Sequence, residues 1–252
     1  MQRRWATGLA IVALALGGCH PAASASAQGD ARDLLDRAVA TFAALRTAHA
    51  HVELAGTFQL DLDGSGKVKA VDLAGATVDA DVDLTNDRGK VAFAVPAYLD
   101  LGGDIVQIGP QRYVRTGVGA KYVRSIDPLP APASVVGHLE DVVRTLQAAP
   151  VQGADEGCGT EQCSKISVTL DGVDLSGTGL PVAAATAGRT TIDLWVRQSD
   201  ARPVKVAAVF DGGDAGKLWA TITFSAFDVP VAVVAPPADE IQVTSVSPSA
   251  GP

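Results

Sequence analysis

The stretch Ala76–Pro96, "ATVDADVDLTNDRGKVAFAVP", sets the class of the fold. Successive side chains of an extended strand point to opposite faces, so Val78, Ala80, Val82 and Leu84 share one side while Asp79, Asp81 and Asp83 share the other. The segment "TNDRGK" is a polar turn that reverses the chain, and Val91, Phe93 and Val95 continue the apolar side on the return. The pattern predicts an antiparallel hairpin with one face in water and one face buried.

The same alternation extends in both directions. Downstream, "DIVQIG" (104–109), "QRYVRTG" (111–117) and a short piece at 121–124 read as strands, until the proline-rich "DPLPAPAS" ends the first sheet region. Upstream, Leu34, Leu35, Ala38, Phe42 and Leu45 recur at helical spacing, which predicts a helix over 30–48 with Asp30 as its N-cap. The period then changes to two, with Val52, Leu54, Phe58, Leu60 and Leu62 alternating until "DLDGSGK" (61–67). A second helix is expected over 134–149, where Val135, Leu139, Val142, Val143 and Leu146 share a side behind the cap residue Ser134. "KISVTLDG", "TTIDLWVRQSD", "PVKVAAVFDG" and "KLWATITFSAF" then follow as strands of a meander, with a last extended piece at "VAVVAPPADEI". Helix, strands, helix, strands with short connections make an α+β domain.

The chain start carries a different signal. Arg3 and Arg4 precede an apolar run, Leu9–Leu16, and two glycines stand before Cys19. The run falls short of the roughly 20 residues a membrane-spanning helix needs and reads as a secretory leader, residues 1–18. A cysteine directly after Leu-Gly-Gly matches a bacterial lipobox, so Cys19 is expected to be the acylated first residue of the mature chain. Residues 19–29 then form a small, polar tether. The folded domain is placed at 30–240 and a disordered tail at 241–252. Losing the leader removes two arginines and moves the net charge from −8 to −10. That acidity speaks against nucleic acid and against adhesion to anionic headgroups. Cys158 and Cys163, in "GCGTEQCS", read as a local disulfide in an oxidising compartment, contributing about 2 kcal/mol.

Sites of chemistry are sparse. "HAH" puts His49 and His51 on one side of a strand, but no further His or Cys cluster completes a zinc set, and ordinary surface histidines are the expectation. "DLDGSGK" begins like a calcium loop without its downstream Glu, and Asp61 stands where a P-loop needs its first glycine. Asp79, Asp81 and Asp83 read as a solvated strand face, with an acidic docking ridge as the alternative. No Gly-x-Ser-x-Gly elbow is present. No enzyme activity, metal or cofactor is expected.

Four pieces resemble the mycobacterial LppX/LprA/LprF/LprG lipoprotein family, whose fold is similar to that of the carriers LolA and LolB. They are the lipobox at Cys19; "LLDRAVATFAALRTAHAHVELAG", a helix running directly into a strand; "GPQRYVRT"; and "TTIDLWVRQSDARPVKV" leading to "FSAFDVPVAVVAPP". The Cys158–Cys163 loop, "DLDGSGK" and "LPAPAS" stand outside the resemblance. It implies a strongly curved antiparallel sheet, a half-barrel, with helices on the concave side enclosing an apolar cavity for acyl chains. The implied function is carriage of a lipid or glycolipid by a monomer tethered to the outer face of the plasma membrane through its acyl anchor, with an envelope transporter as a possible further partner. Val78, Val82, Leu84, Phe93, Ile192, Leu194, Ile222 and Phe224 are the expected cavity-lining residues. An envelope interaction or sensor domain on the same fold is the alternative.

Overall fold

The computed structural model describes residues 25–60, 68–97, 101–117, 120–125, 151–174 and 187–242. One α-helix, α1 (Ala25–Ala43), precedes β1 (Thr47–Leu60), β2 (Lys69–Asp72), β3 (Ala76–Asp83), β4 (Arg88–Val95), β5 (Leu101–Ile108), β6 (Gln111–Thr116) and β7 (Tyr122–Ser125). The second run is β8 (Val151–Cys158), β9 (Glu161–Asp174), β10 (Ala187–Arg197), β11 (Pro203–Asp211), β12 (Gly216–Ser225) and β13 (Ile241–Gln242). All thirteen strands join one curved, unclosed sheet in the order β13-β7-β6-β5-β4-β3-β1-β12-β11-β10-β9-β8, with β2 paired to β1. Every pairing is antiparallel except that of β13 with β7.

The order follows from two meanders that meet at the middle. From β1 the chain steps outward through β3 to β7; the second run starts at the opposite edge with β8 and steps inward until β12 pairs with β1. The expected hairpin is present as β3 and β4, with Val78 opposite Phe93 and Ala80 opposite Val91.

Three boundaries differ from the sequence reading. The helix begins at Ala25, inside the stretch read as tether, and Asp30 lies within it. Ala25, Ala27 and Gln28 are good helix formers, so the stretch before Asp30 joins the helix despite Gly29. It ends at Ala43 because Thr47 and Ala48 pair with Asp83 and Val82 of β3, and this cross-strand pairing prevails over their helical spacing. β8 is the second difference: "VQGADEGC" has no apolar alternation, yet it pairs with β9. The third is β13, which takes in two residues assigned to the tail. The anchor residue Cys19, the turn at 61–67, the expected helix at 134–149 and the tail beyond 242 lie outside the described residues.

α1 defines the inner face of the sheet. Its Leu34, Leu35 and Ala38 pack on Ile166 and Val168 of β9, Ile192, Leu194 and Val196 of β10, and Val206 of β11, and this is the main core. At the end of the helix, Phe42, Leu45 and Ala48 gather Val82, Leu84, Phe224 and Phe227, with the Phe42 and Phe224 rings edge to face at 5.4 Å. A third cluster lies on the outer face, where Val231, Val233 and Ile241 of the C-terminal segment cover Val106, Ile108, Tyr113 and Tyr122. Among the described residues no helix is long and apolar enough to cross a membrane.

Candidate binding surface

Strand register lines the inner-face side chains into rows that run across six or more neighbouring strands. One row runs Leu194, Val206, Ile222, Val52, Val78 and Phe93 through β10, β11, β12, β1, β3 and β4. Beside it, Phe224, Ala50, Ala80, Val91, Ile105, Val114 and Val123 run from β12 to β7. The rows are apolar throughout but unequally covered. Ile166, Ile192, Leu194, Val196 and Val206 are buried beneath α1, whereas Val78, Ala80, Val91, Phe93, Ile105 and Val114 are half-buried and Val123 is 42% exposed. Among the described residues, α1 covers one half of the apolar face, and the other half remains only half-buried.

The eight expected lining residues divide accordingly. Ile192 and Leu194 belong to the core under α1, with Ile222 partly buried against it. Val82, Leu84 and Phe224 gather at the end of α1. Val78 and Phe93 alone of the eight stand where the rows leave the cover of α1 and its end cluster, on β3 and β4. Ile105 and Val114 share that surface and were not singled out from the sequence, although the alternation in "DIVQIG" and "QRYVRTG" carries the signal. Phe93 lies over Gly103, where an added Cβ would come within 3.0 Å of the ring and 2.1 Å of the Arg115 carbonyl oxygen. Glycine therefore lets the aromatic ring settle against the sheet.

The outer face is mostly polar. His49 Nδ1 lies 2.8 Å from Asp81 Oδ1, and His51 Nδ1 lies 2.6 Å from Asp79 Oδ1. The hydrogen bond to Asp79 holds His51 above the ordinary histidine range, with burial opposing and the charges of Asp79 and Glu53 adding to the rise. Asp83 is pulled below the usual carboxylate range by hydrogen bonds from the Asn86 amide side chain and backbone. The three aspartates thus have local partners, two of them the histidines of "HAH". Among the described residues no three His, Cys, Asp or Glu are arranged to hold a metal ion.

The β8 edge is held from the outer side by Trp195 and the disulfide and from the inner side by Ser164. Trp195 Nε1 donates to Glu156 at 2.9 Å, with Lys165 and Lys205 on the ring at 4.9 and 4.5 Å. The Ser164 hydroxyl donates to Asp155, and the Cys158–Cys163 disulfide crosses the β8–β9 hairpin at a Cα–Cα distance of 5.8 Å. The second described tryptophan, Trp219, is 42% exposed on β12 with Lys217 beside it.

No protein-family model matches the chain, and no curated protein matches it in sequence. Solved structures do. LprF from Mycobacterium bovis superposes with a TM-score of 0.52 at 20% identity, over 82% of this chain and 97% of that one. The Mycobacterium tuberculosis lipoprotein LppX gives a TM-score of 0.52 at 16% identity, over 82% of this chain and 99% of that one. The expected resemblance therefore holds at the level of the fold: a strand-rich, curved, unclosed sheet with one described helix, shared with LprF and LppX.

Proposed function

We propose that this chain binds the acyl chains of a lipid or glycolipid on the inner face of β3–β6 and carries them within a bacterial cell envelope. The observation that supports it is the passage of two adjacent apolar rows from the α1-covered side into half-buried positions at Val78 and Phe93 in one and at Ile105 and Val114 in the other. Leaving such a strip in water is unfavourable, and an acyl chain laid on it gains about 2.5 kcal/mol per 100 Å² of apolar surface removed from water. No charged contact is required for useful affinity. An acylated Cys19 would hold the protein at the membrane with its domain in the aqueous layer, since two or more chains on one residue anchor stably. The lipoprotein named among the fold matches agrees with that placement.

The test is native mass spectrometry of residues 20–252 produced in a bacterial periplasm, before and after organic extraction. The expected result is a removable adduct of lipid mass that returns when diacyl lipid is added. A bare chain that also refuses added diacyl and triacyl lipids overturns the reading.

A further inference from the structure

The residues after β12 do not simply trail away; they pass from one face of the sheet to the other. Phe227 enters the inner-face cluster at the end of α1, between Arg197 and Arg202, whose guanidinium carbons stand 5.7 and 5.3 Å from its ring. Ala226 and Asp228, on either side of it, have φ of 49° and 57°, the left-handed region that an alanine disfavours. At the sheet's end Asp228 is fixed by the Arg46 backbone N–H at 3.0 Å and by Arg202 Nη2 at 2.6 Å. The Thr47 hydroxyl donates to the Val229 carbonyl at 2.7 Å. The chain then crosses to the outer face, where Val231, Val233 and Ile241 pack on Val106, Ile108, Tyr113 and Tyr122. Arg115 closes this end, bonded to Asp104 at 2.9 Å, lying 4.4 Å over the Tyr122 ring, and reaching Glu240 at 3.5 Å.

This clip matters most to β5–β7. On their inner side Ile105 and Val114 are only half-buried, so among the described side chains of these strands the buried ones are Val106, Tyr113 and Tyr122, all on the outer side. Among the described residues it is the clip that packs over them. β7 is only four residues long, and β13 supplies just two residues at its far edge. A region with few buried contacts opens at a lower free energy than the rest of its domain.

We propose that residues 226–242 act as a clip whose seating on the outer face governs how far β5–β7 open, and with them the half-covered inner surface; its bearing on cargo rests on the lipid-binding reading above. Seated, the clip holds β5–β7 in the curve of the sheet. Lifted, it exposes Val106, Tyr113 and Tyr122, leaves these strands, among the described residues, with little beyond their ladder hydrogen bonds, and lets Ala226 leave its disfavoured conformation.

Hydrogen exchange by mass spectrometry on the full chain tests this, comparing wild type with Val233→Asp and with the milder pair Arg115→Gln and Glu240→Gln. Peptides from 101–117 and 120–125 are expected to exchange at least tenfold faster in Val233→Asp and several-fold faster in the double variant, with 189–197 unchanged. Release of a fluorescent diacyl probe is expected to accelerate in the same order. Unchanged protection at 101–125 overturns the proposal, and so does an equal loss at 189–197, which would make the clip part of the common core. A wild-type chain that binds no probe sinks the lipid reading, while the exchange pattern still decides the clip.

Discussion

On β9–β11 the inner-face residues Ile166, Ile192, Leu194 and Val206 lie beneath α1, whereas their counterparts Val78, Val91, Ile105 and Val114 on β3–β6 stay half-buried. The outer faces differ as well. With β12, the first set of strands carries lysines, serines, threonines and the two described tryptophans there, while β5–β7 carry a buried apolar strip under the clip. β9–β11 are thus covered inside and mostly polar outside, and β5–β7 are covered outside and partly open inside, with β3 and β4 polar outside between them. Apolar alternation specifies that a face will seek cover, but chain topology decides what provides it.

That comparison can be broken by mutation. Leu194→Ala is expected to cost about 3 kcal/mol, within the range for a fully buried leucine, and Val78→Ala about 1 kcal/mol or less because that site is already part-solvated; urea denaturation measures both. Equal losses would erase the distinction between the halves. Next in size is the staple at the covered half's edge. Removing it with Cys158→Ser and Cys163→Ser is expected to lower stability by about 2 kcal/mol on the chain-entropy estimate. The accompanying rise in hydrogen exchange should be concentrated in β8, which buries no side chain of its own.

Binding should follow the opposite order to stability. Ile105→Ser is expected to weaken a diacyl probe about tenfold, or about 1.4 kcal/mol, with only a small change in the urea midpoint. A serine there that leaves probe affinity untouched would move the cargo surface elsewhere. The smallest effect belongs to the seam between the halves, where His51 of β1 meets Asp79 of β3. Its folded-state pKa is raised, so the stabilisation is complete below the unfolded value near 6.5 and fades as pH rises through the folded value. Thermal melts from pH 5.5 to 8 should show that decline in wild type and a flatter profile in His51→Gln.

Much of this architecture was legible one strand at a time. The alternation of 76–96 predicts β3, its turn and β4 in register, and the spacing of Leu34, Leu35, Ala38 and Phe42 predicts the buried side of α1. β8 was not legible, because "VQGADEGC" forms a strand through its partner β9, its disulfide and Trp195 rather than through its own pattern. The division of the lining residues was hidden for a related reason. Val78 and Leu194 look alike in sequence, and only the return of β12 to β1 puts them in one row with α1 over one end of it. The valines of "VAVVAPP" likewise announce an extended piece without revealing which face it covers.

The placement of the indole rings has a spectroscopic consequence. Of three tryptophans in the sequence, Trp5 lies outside the described residues, and Trp195 and Trp219 stand on the outer side of β10 and β12 in the α1-covered half, away from Val78, Ile105 and Val114. Intrinsic emission should therefore report loss of that half on unfolding and stay nearly constant as cargo enters. Tyr113 and Tyr122, beneath the clip, occupy the other half, so among the described residues the two chromophore types divide along the same line as the packing.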